Sequence, residues 1–389
     1  SMAGSTLGNI FKITTWGESH GKALGAVIDG CPAGLLLCER DIQVYLDRRK
    51  PGQSAITTPR KEADQVEILS GVFEGKTTGA PISLLIWNTS QKSSDYSEIA
   101  SYYRPGHADY TFDAKYGFRD YTGGGRSSGR ETAARVAAGA VALKILKEMG
   151  ITVAAYTKSI GPVSIDMARF DKEAVFRTAT CMPDTQADQA AAAYLKECMM
   201  KKDSCGGVIE CIVYGLPAGV GDPVFEKLDA CLAKAVMSIG AVKAVEIGDG
   251  VSVSTAVGSK NNDAFFCDKD VRCMAPSQTG LPVQKKTNHA GGILGGISDG
   301  SRLVLRAHVK PTPSIFAPQE TVNKEGENIQ IEIKGRHDPV IVPRAVVVVE
   351  AMTALTLLDA CMMNMTARLD YLKDFYSTKR CHPSQDSLL

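Results

Sequence analysis

Three short polar turns carry a histidine close to glycine or proline: Gly17-Glu18-Ser19-His20-Gly21, Arg104-Pro105-Gly106-His107-Ala108-Asp109 and Gly335-Arg336-His337-Asp338-Pro339. An imidazole titrates near neutrality, so each turn offers a group able to give or take a proton at pH 7. The second and third turns add an arginine and an aspartate, which sets a cation for an anionic ligand beside a base. His308, in the alternating run Leu303–Val309, reads instead as a structural strand residue. The first turn also fits G-x-S-x-G, the pattern of a hydrolase nucleophile elbow. An elbow joins a strand to a helix and is followed along the chain by an acid and then a histidine. Here only sixteen residues precede the motif and a strand-like run follows it, so Ser19 is not read as a nucleophile.

Anion recognition is written into two further stretches. Tyr121–Arg135 (YTGGGRSSGRETAAR) has three glycines that permit close backbone approach, then Ser128 and Glu131 at the spacing of a capping box. A helix start offers free N–H groups and the positive end of a dipole, and Arg126, Arg130 and Arg135 surround it. Arginines there oppose the dipole unless an anion relieves them, which favours a binding site. Lys310-Pro311-Thr312-Pro313-Ser314 places one ammonium and two hydroxyls on a chain stiffened by prolines. Asn288–Gly296 (NHAGGILGG) adds backbone able to pass close to a flat ligand. Two cradles suggest two anionic ligands. Ser70–Thr77 resembles a phosphate loop but has the wrong glycine spacing, and no G-x-G-x-x-G follows a strand.

The elements that must hold these turns are those of a globular chain of 389 residues, 44% hydrophobic and 22% charged. A net charge of +1 excludes general attraction to nucleic acid or anionic membrane, so anion recognition must be local. The eleven cysteines are scattered without C-x-x-C spacing and read as reduced thiols of a cytoplasmic protein. The first residues lack the basic and apolar regions of a signal peptide, and Ala345–Met363 is interrupted by Glu350 and Asp359, which argues for a packed helix rather than a membrane span. Ile10–Trp16 and Ala23–Asp29 predict a hairpin around the first histidine turn. Helices are expected over Glu39–Arg49, Ser128–Met149, Thr185–Lys202, Val224–Ile239 and Arg344–Phe375. Strands are expected over Ile82–Trp87, Val208–Tyr214, Leu303–Val309 and Ile329–Ile333. The irregular alternation points to an α+β fold in one domain spanning 1–389.

In order along nearly the whole chain, GESHG, Arg48-Arg49-Lys50-Pro51-Gly52, RPGHADYTF, GGGRSSGRET, VEIGDG, HAGGILGGIS, KPTPS and GRHDP resemble the chorismate synthase family. The resemblance implies a β-α-β sandwich of helices between antiparallel sheets, assembled as a homotetramer; a separate hypothesis is that subunit contacts order the loop around Arg49–Arg60. It implies a 1,4-anti elimination of phosphate from 5-enolpyruvylshikimate 3-phosphate, giving chorismate at the end of the shikimate pathway that feeds aromatic amino-acid biosynthesis. Reduced FMN is required without net redox change, supplied by an external reductant or reductase, and some members reduce their own flavin with NADPH. By the same resemblance His20 is the acid that assists the departing phosphate, His107 sits near flavin N1 and Asp338 near N5. Arg49, Arg104, Arg130 and Arg336 would clamp the substrate. Arg126, Ser127, Ser128, Gly240, Ala241, Gly295, Lys310, Pro311, Thr312, Pro313, Ser314 and Arg336 would contact the flavin. The chain departs from the family pattern at Ala55, Thr122, Gly129 and Gly240, the first two standing where relatives often carry a cation.

Two other classes compete for these residues. A flavin oxidoreductase would need a hydride-donor site, and no dinucleotide fingerprint is visible. A nonenzymatic RNA or anion binder would need basic patches interleaved with exposed aromatics, which the near-neutral balance and the accompanying His and Asp residues disfavour.

Overall fold

Lys12–Gly17 alternates between solvent and core, and Ala23–Asp29 is apolar nearly throughout, so the two form the antiparallel hairpin that the sequence predicts. The computed structural model describes residues 4–50, 64–89, 98–268, 283–335 and 337–377. Numbered in chain order, β1 (Thr6–Leu7), β2 (Lys12–Gly17), β3 (Ala23–Asp29), β7 (Ile82–Trp87) and β4 (Val66–Ile68) lie side by side in one antiparallel sheet. Between β4 and β7 the false phosphate loop is a tight hairpin of β5 (Val72–Phe73) and β6 (Lys76–Thr77). A second antiparallel sheet runs β11 (Val242–Ile247), β16 (Leu303–Val309), β10 (Gly207–Tyr214), β8 (Thr152–Ile160) and β9 (Val163–Ser164). Short hairpins complete the strands: β12 (Phe265–Cys267) with β13 (Val283–Lys285), β14 (Ile293–Leu294) with β15 (Ile297–Ser298), and β17 (Gln319–Val322) with β18 (Asn328–Ile331).

Helices fill the space between the sheets, which is the α+β sandwich expected. α1 (Glu39–Asp47) and α3 (Thr132–Glu148) pack on the first sheet, while α5 (Leu228–Met237) and α7 (Val342–Asn364) pack on the second. α2 (Asp109–Tyr116), α4 (Thr185–Met200), α6 (Gly258–Asn261) and α8 (Leu369–Ser377) lie outside this layer. α3 and α7 are apolar around almost their whole circumference, as helices in the middle of a sandwich must be. They meet at Gly139, where a methyl group would fall 2.3 Å from Ala351 Cβ, so only glycine permits this approach. α7 is long and apolar enough to cross a membrane, but 78% of its apolar window is buried inside the protein, which makes it a core helix.

The two carboxylates that interrupt α7 are its staples. Asp359 accepts the backbone N–H groups of Asn9, Ile10 and Phe11 at 3.1, 2.8 and 3.1 Å, fixing the β1–β2 turn. Glu350 pairs with Arg48 at 2.5 Å and accepts the N–H of Ala155 at 3.1 Å, tying the end of α1 to β8. Each buried acid is thus hydrogen-bonded or paired, as its desolvation requires.

Some boundaries differ from expectation. The helix expected from Ser128 starts at Thr132, after 3-10 turns at Gly125–Ser127 and Gly129–Glu131. No capping box forms: the Ser128 hydroxyl accepts from the Arg130 N–H at 3.2 Å, while the buried Glu131 carboxylate takes the Thr15 hydroxyl at 2.9 Å and Arg135 Nε at 2.8 Å. A tertiary ion pair has displaced the local cap. Val224–Glu226 is a 3-10 turn ahead of α5, and the helix expected over Arg344–Phe375 breaks between α7 and α8, where Asn364 and Thr366 are weak helix formers.

Gly139→Val should overpack the α3–α7 crossing and cost about 1–3 kcal/mol, read as a lower denaturation midpoint. Unchanged stability would mean that the two helices can separate without loss.

Candidate functional site

The β2–β3 pairing ends at Gly17 opposite Leu24, which leaves Glu18–Lys22 as an exposed turn. At its crest the Ser19 hydroxyl and His20 Nδ1 lie 3.0 Å apart. The Gly-rich loop ahead of α3 lies against this turn. A methyl group at Gly123 would come within 2.2 Å of His20 Nδ1 and 2.8 Å of Ser19 Oγ, so a side chain there would push the imidazole and hydroxyl aside. Nearby Asp120 accepts the Thr122 N–H at 3.0 Å and the Thr122 hydroxyl at 2.5 Å. These bonds, opposed by burial and aided slightly by His20, hold the Asp120 carboxyl below the ordinary range.

Arg126 does not reach outward. Its guanidinium donates to the carbonyls of Gly17 and Thr15 at 3.0 and 3.1 Å and to the hydroxyls of Thr15 and Ser5 at 2.8 and 2.9 Å, which binds the loop to β2. Arg130 and Arg49 share one carboxylate. Asp64 Oδ2 accepts from Arg49 at 3.0 Å, and Asp64 Oδ1 accepts from Arg130. Arg130 Nε donates to Asn88 Oδ1 at 2.8 Å. Arg49 also donates to the Gly129 carbonyl at 3.0 Å and the Thr132 hydroxyl at 3.1 Å, and its own carbonyl accepts from Arg344 at 3.1 Å. The first turns of α3 and α7, through Thr132 and Arg344, therefore both touch Arg49.

Burial pulls the Arg49 guanidinium down to about 10 even though Asp64 opposes the shift. Burial pushes the Asp64 carboxyl up, but Arg130 and Arg49 outweigh it and keep it below the usual range. Asp338 is exposed and pairs with Arg344 at 2.9 Å, which links it to Arg49 through one residue. Arg336, residues 51–60 of the loop after Arg49, and Ala55 within it lie outside the described residues.

A second group forms where the Arg104–Asp109 turn meets Lys310–Ser314. Arg104 is held by Asp109 in a two-pronged ion pair, Nε to Oδ2 and one terminal nitrogen to Oδ1, both 2.9 Å. His107 sits between the Pro105 carbonyl at 3.1 Å from Nδ1 and the Ser314 hydroxyl at 3.0 Å from Nε2. Lys310 Nζ donates to the Gly106 carbonyl at 3.0 Å, and a methyl group at Gly106 would lie 2.6 Å from Pro313 Cβ. Pro311 and Thr312 continue the segment. The Thr312 carbonyl accepts from Ser204 at 2.6 Å, while among the described residues its hydroxyl oxygen is buried with no hydrogen-bond partner.

Gly240 and Ala241 join the two groups. A methyl group at Gly240 would meet only the Ser127 carbonyl, 3.8 Å away, and the Ala241 carbonyl accepts the Lys310 N–H at 2.9 Å. Ala241 adopts φ +75, costly for a residue with a Cβ. Gly295 sits at the β14–β15 turn with φ +62. His308 is the strand residue expected, paired with Glu246 across β16 and β11.

Asp64, Asn88, Asp120 and Arg344 escape sequence reasoning because none belongs to a motif. Asn88 alone has an indirect signal. Ala23 pairs with Trp87, so the residue after β7 must stand beside the turn that carries His20.

The chorismate synthase family model matches residues 11–362. The chain is 64% identical to the chorismate synthase of Agathobacter rectalis over 375 residues, 96% of this chain and 99% of that one. It is 65% identical to that of Lachnospira eligens, covering 96% and 100% of the two chains. A crystal structure of a chorismate synthase superposes with a TM-score of 0.74 at 31% identity, covering 96% of this chain and 98% of that one.

Burial, and then Arg104, push the His107 imidazole below its ordinary value. Its neutral form therefore supports the fold fully above the ordinary histidine pKa of about 6.5, and that support is lost as pH falls from there toward the folded-state value. NMR titration of the His107 ring should give a midpoint below about 6.5; one above it would contradict the packing described.

Proposed function

Because this chain belongs to the chorismate synthase family of lyases, we propose that it removes phosphate and a ring proton from 5-enolpyruvylshikimate 3-phosphate by 1,4-anti elimination, giving chorismate. The C–O bond to phosphate breaks with its electrons on the leaving oxygen. The electrons of the broken C–H bond become part of the new conjugated system, so there is no net oxidation.

The observation that carries this reading is one run of contacts. The His20 turn, Asn88, Arg130, Asp64, Arg49, Arg344 and Asp338 form an unbroken chain of hydrogen bonds and ion pairs. A substrate with one phosphate and two carboxylates needs several fixed cations, and Arg49 and Arg130 are held ready to offer them. His20 stands at the exposed crest of its turn, where it delivers a proton to the leaving phosphate. Asp338 takes up the ring proton and Arg104 holds the His107 turn in shape.

Residues of the second group fit reduced FMN. Lys310 would supply a cation, the Thr312 hydroxyl, without a hydrogen-bond partner among the described residues, a hydrogen bond, and the open space at Gly240 beside Ser127 would allow close approach. With Ser128, Ala241, Pro311, Pro313, Ser314 and His107 they would hold the flavin, whose chemistry when bound would be to lend electron density to the substrate. His107, kept neutral by burial, can accept or share a proton at the rim of this pocket. The reading includes an external flavin reductant and a homotetramer.

Incubating the protein without oxygen with 5-enolpyruvylshikimate 3-phosphate and chemically reduced FMN should release chorismate and phosphate one for one. His20→Ala should slow this by ~10²–10⁴-fold, the usual worth of a general acid. Absence of chorismate from folded, flavin-binding protein would reject the reading.

A further inference from the structure

The side chain of Asn88 bridges the histidine turn and an arginine: Nδ2 donates to the carbonyls of Glu18 at 3.1 Å and Gly21 at 2.9 Å, and Oδ1 accepts Arg130 Nε at 2.8 Å. Its backbone N–H donates to the Lys22 carbonyl at 3.0 Å. The orientation of the amide is fixed by its partners. Two carbonyls can only accept and a guanidinium can only donate, so a flipped amide would face like against like on both sides. The Glu18 and Gly21 carbonyls bracket Ser19 and His20, so the amide grips the turn on both sides of the histidine.

We infer that Asn88 is a positioning residue for the proposed elimination, fixing the turn that carries His20 against the guanidinium of Arg130. The inference rests on the proposed role of His20. If a proton donor and an anion-binding cation must act on one phosphate group, their separation has to be held to a fraction of an ångström. Asn88 does this with one short, planar side chain, and both of its polar ends are used. A residue that merely closed the end of β7 would need only its backbone bond to Lys22.

The amide also makes the inference testable, because its two ends can be separated. Asn88→Asp keeps an acceptor for Arg130 but replaces the donor with an oxygen that faces two carbonyls. It should release the turn while leaving the arginine held. The expected result is kcat lowered 10–100-fold with KM changed by less than about three-fold, the signature of an interaction needed in the transition state rather than for binding.

The decisive measurement is a double-mutant cycle with His20→Ala, in anaerobic assays of the full chain with reduced FMN. If Asn88 acts through His20, adding Asn88→Asp to His20→Ala should cost no more than about two-fold. An equal loss in both backgrounds would overturn the inference in favour of a purely structural clamp. An unaltered kcat for Asn88→Asp would overturn it directly. A His20→Ala enzyme as fast as the parent would instead remove the role of His20 and the inference with it, which separates the two failures. Thermal melts check that each variant is folded, and Asn88→Ala takes the place of the aspartate in the cycle should that variant unfold.

Discussion

The close crossing of α3 and α7 is the constraint on which the other contacts depend. Gly139 lets the two backbones approach until nothing larger than hydrogen fits between them and Ala351. Each helix then brings its first turn to the same place: Thr132 of α3 and Arg344 of α7 both bond Arg49. The Gly-rich loop ahead of α3 is held from the opposite side, because Arg126 ties it to the carbonyls of β2. A shift in the crossing would move the loop, the arginine and the histidine turn relative to one another. The core thus sets the site's dimensions as well as the stability of the fold.

Local motifs were readable, and their meeting was not. The hairpin around His20, the strands Ile82–Trp87 and Leu303–Val309 and the interrupted apolar helix follow from periodicity and turn chemistry. The turns at His107 and Lys310–Ser314 can each be picked out as chemistry-bearing, yet nothing in their spacing says that Ser314 and His107 bond to each other across two hundred residues of chain. The misplaced helix start shows the limit from the other direction. Ser128 and Glu131 have the right spacing for a cap, but Glu131 is buried against Thr15 and Arg135, and an ion pair that satisfies a buried charge outweighs a cap worth about 1 kcal/mol. Asp64 and Asn88 are single residues at element ends, and only strand register and tertiary pairing give them a role.

Among the arginines expected to hold anions, the structure separates two kinds of work. Arg104 and Arg126 are committed to Asp109 and to backbone carbonyls, and they give shape to the loops that carry His107 and Ser127. Arg49 and Arg130 share a single carboxylate, so the pair retains positive charge to offer a ligand. Because Asp64 is buried between two guanidiniums, removing it would leave like charges facing one another, a penalty of about 3–5 kcal/mol for a broken buried pair. The same carboxylate thus keeps the cations in place and leaves their charge only partly cancelled.

The meeting of two helix starts at Arg49 also decides how an anion is met in solution. The positive ends of both peptide dipoles add to guanidiniums that one carboxylate cannot neutralise, so the local potential is positive although the chain as a whole carries only +1. At physiological ionic strength such a field reaches about 8 Å before salt screens it. A negatively charged molecule therefore diffuses unguided until its last few ångströms of approach, where it is turned and drawn in. Encounter is governed by the mouth of the site rather than by the surface of the protein.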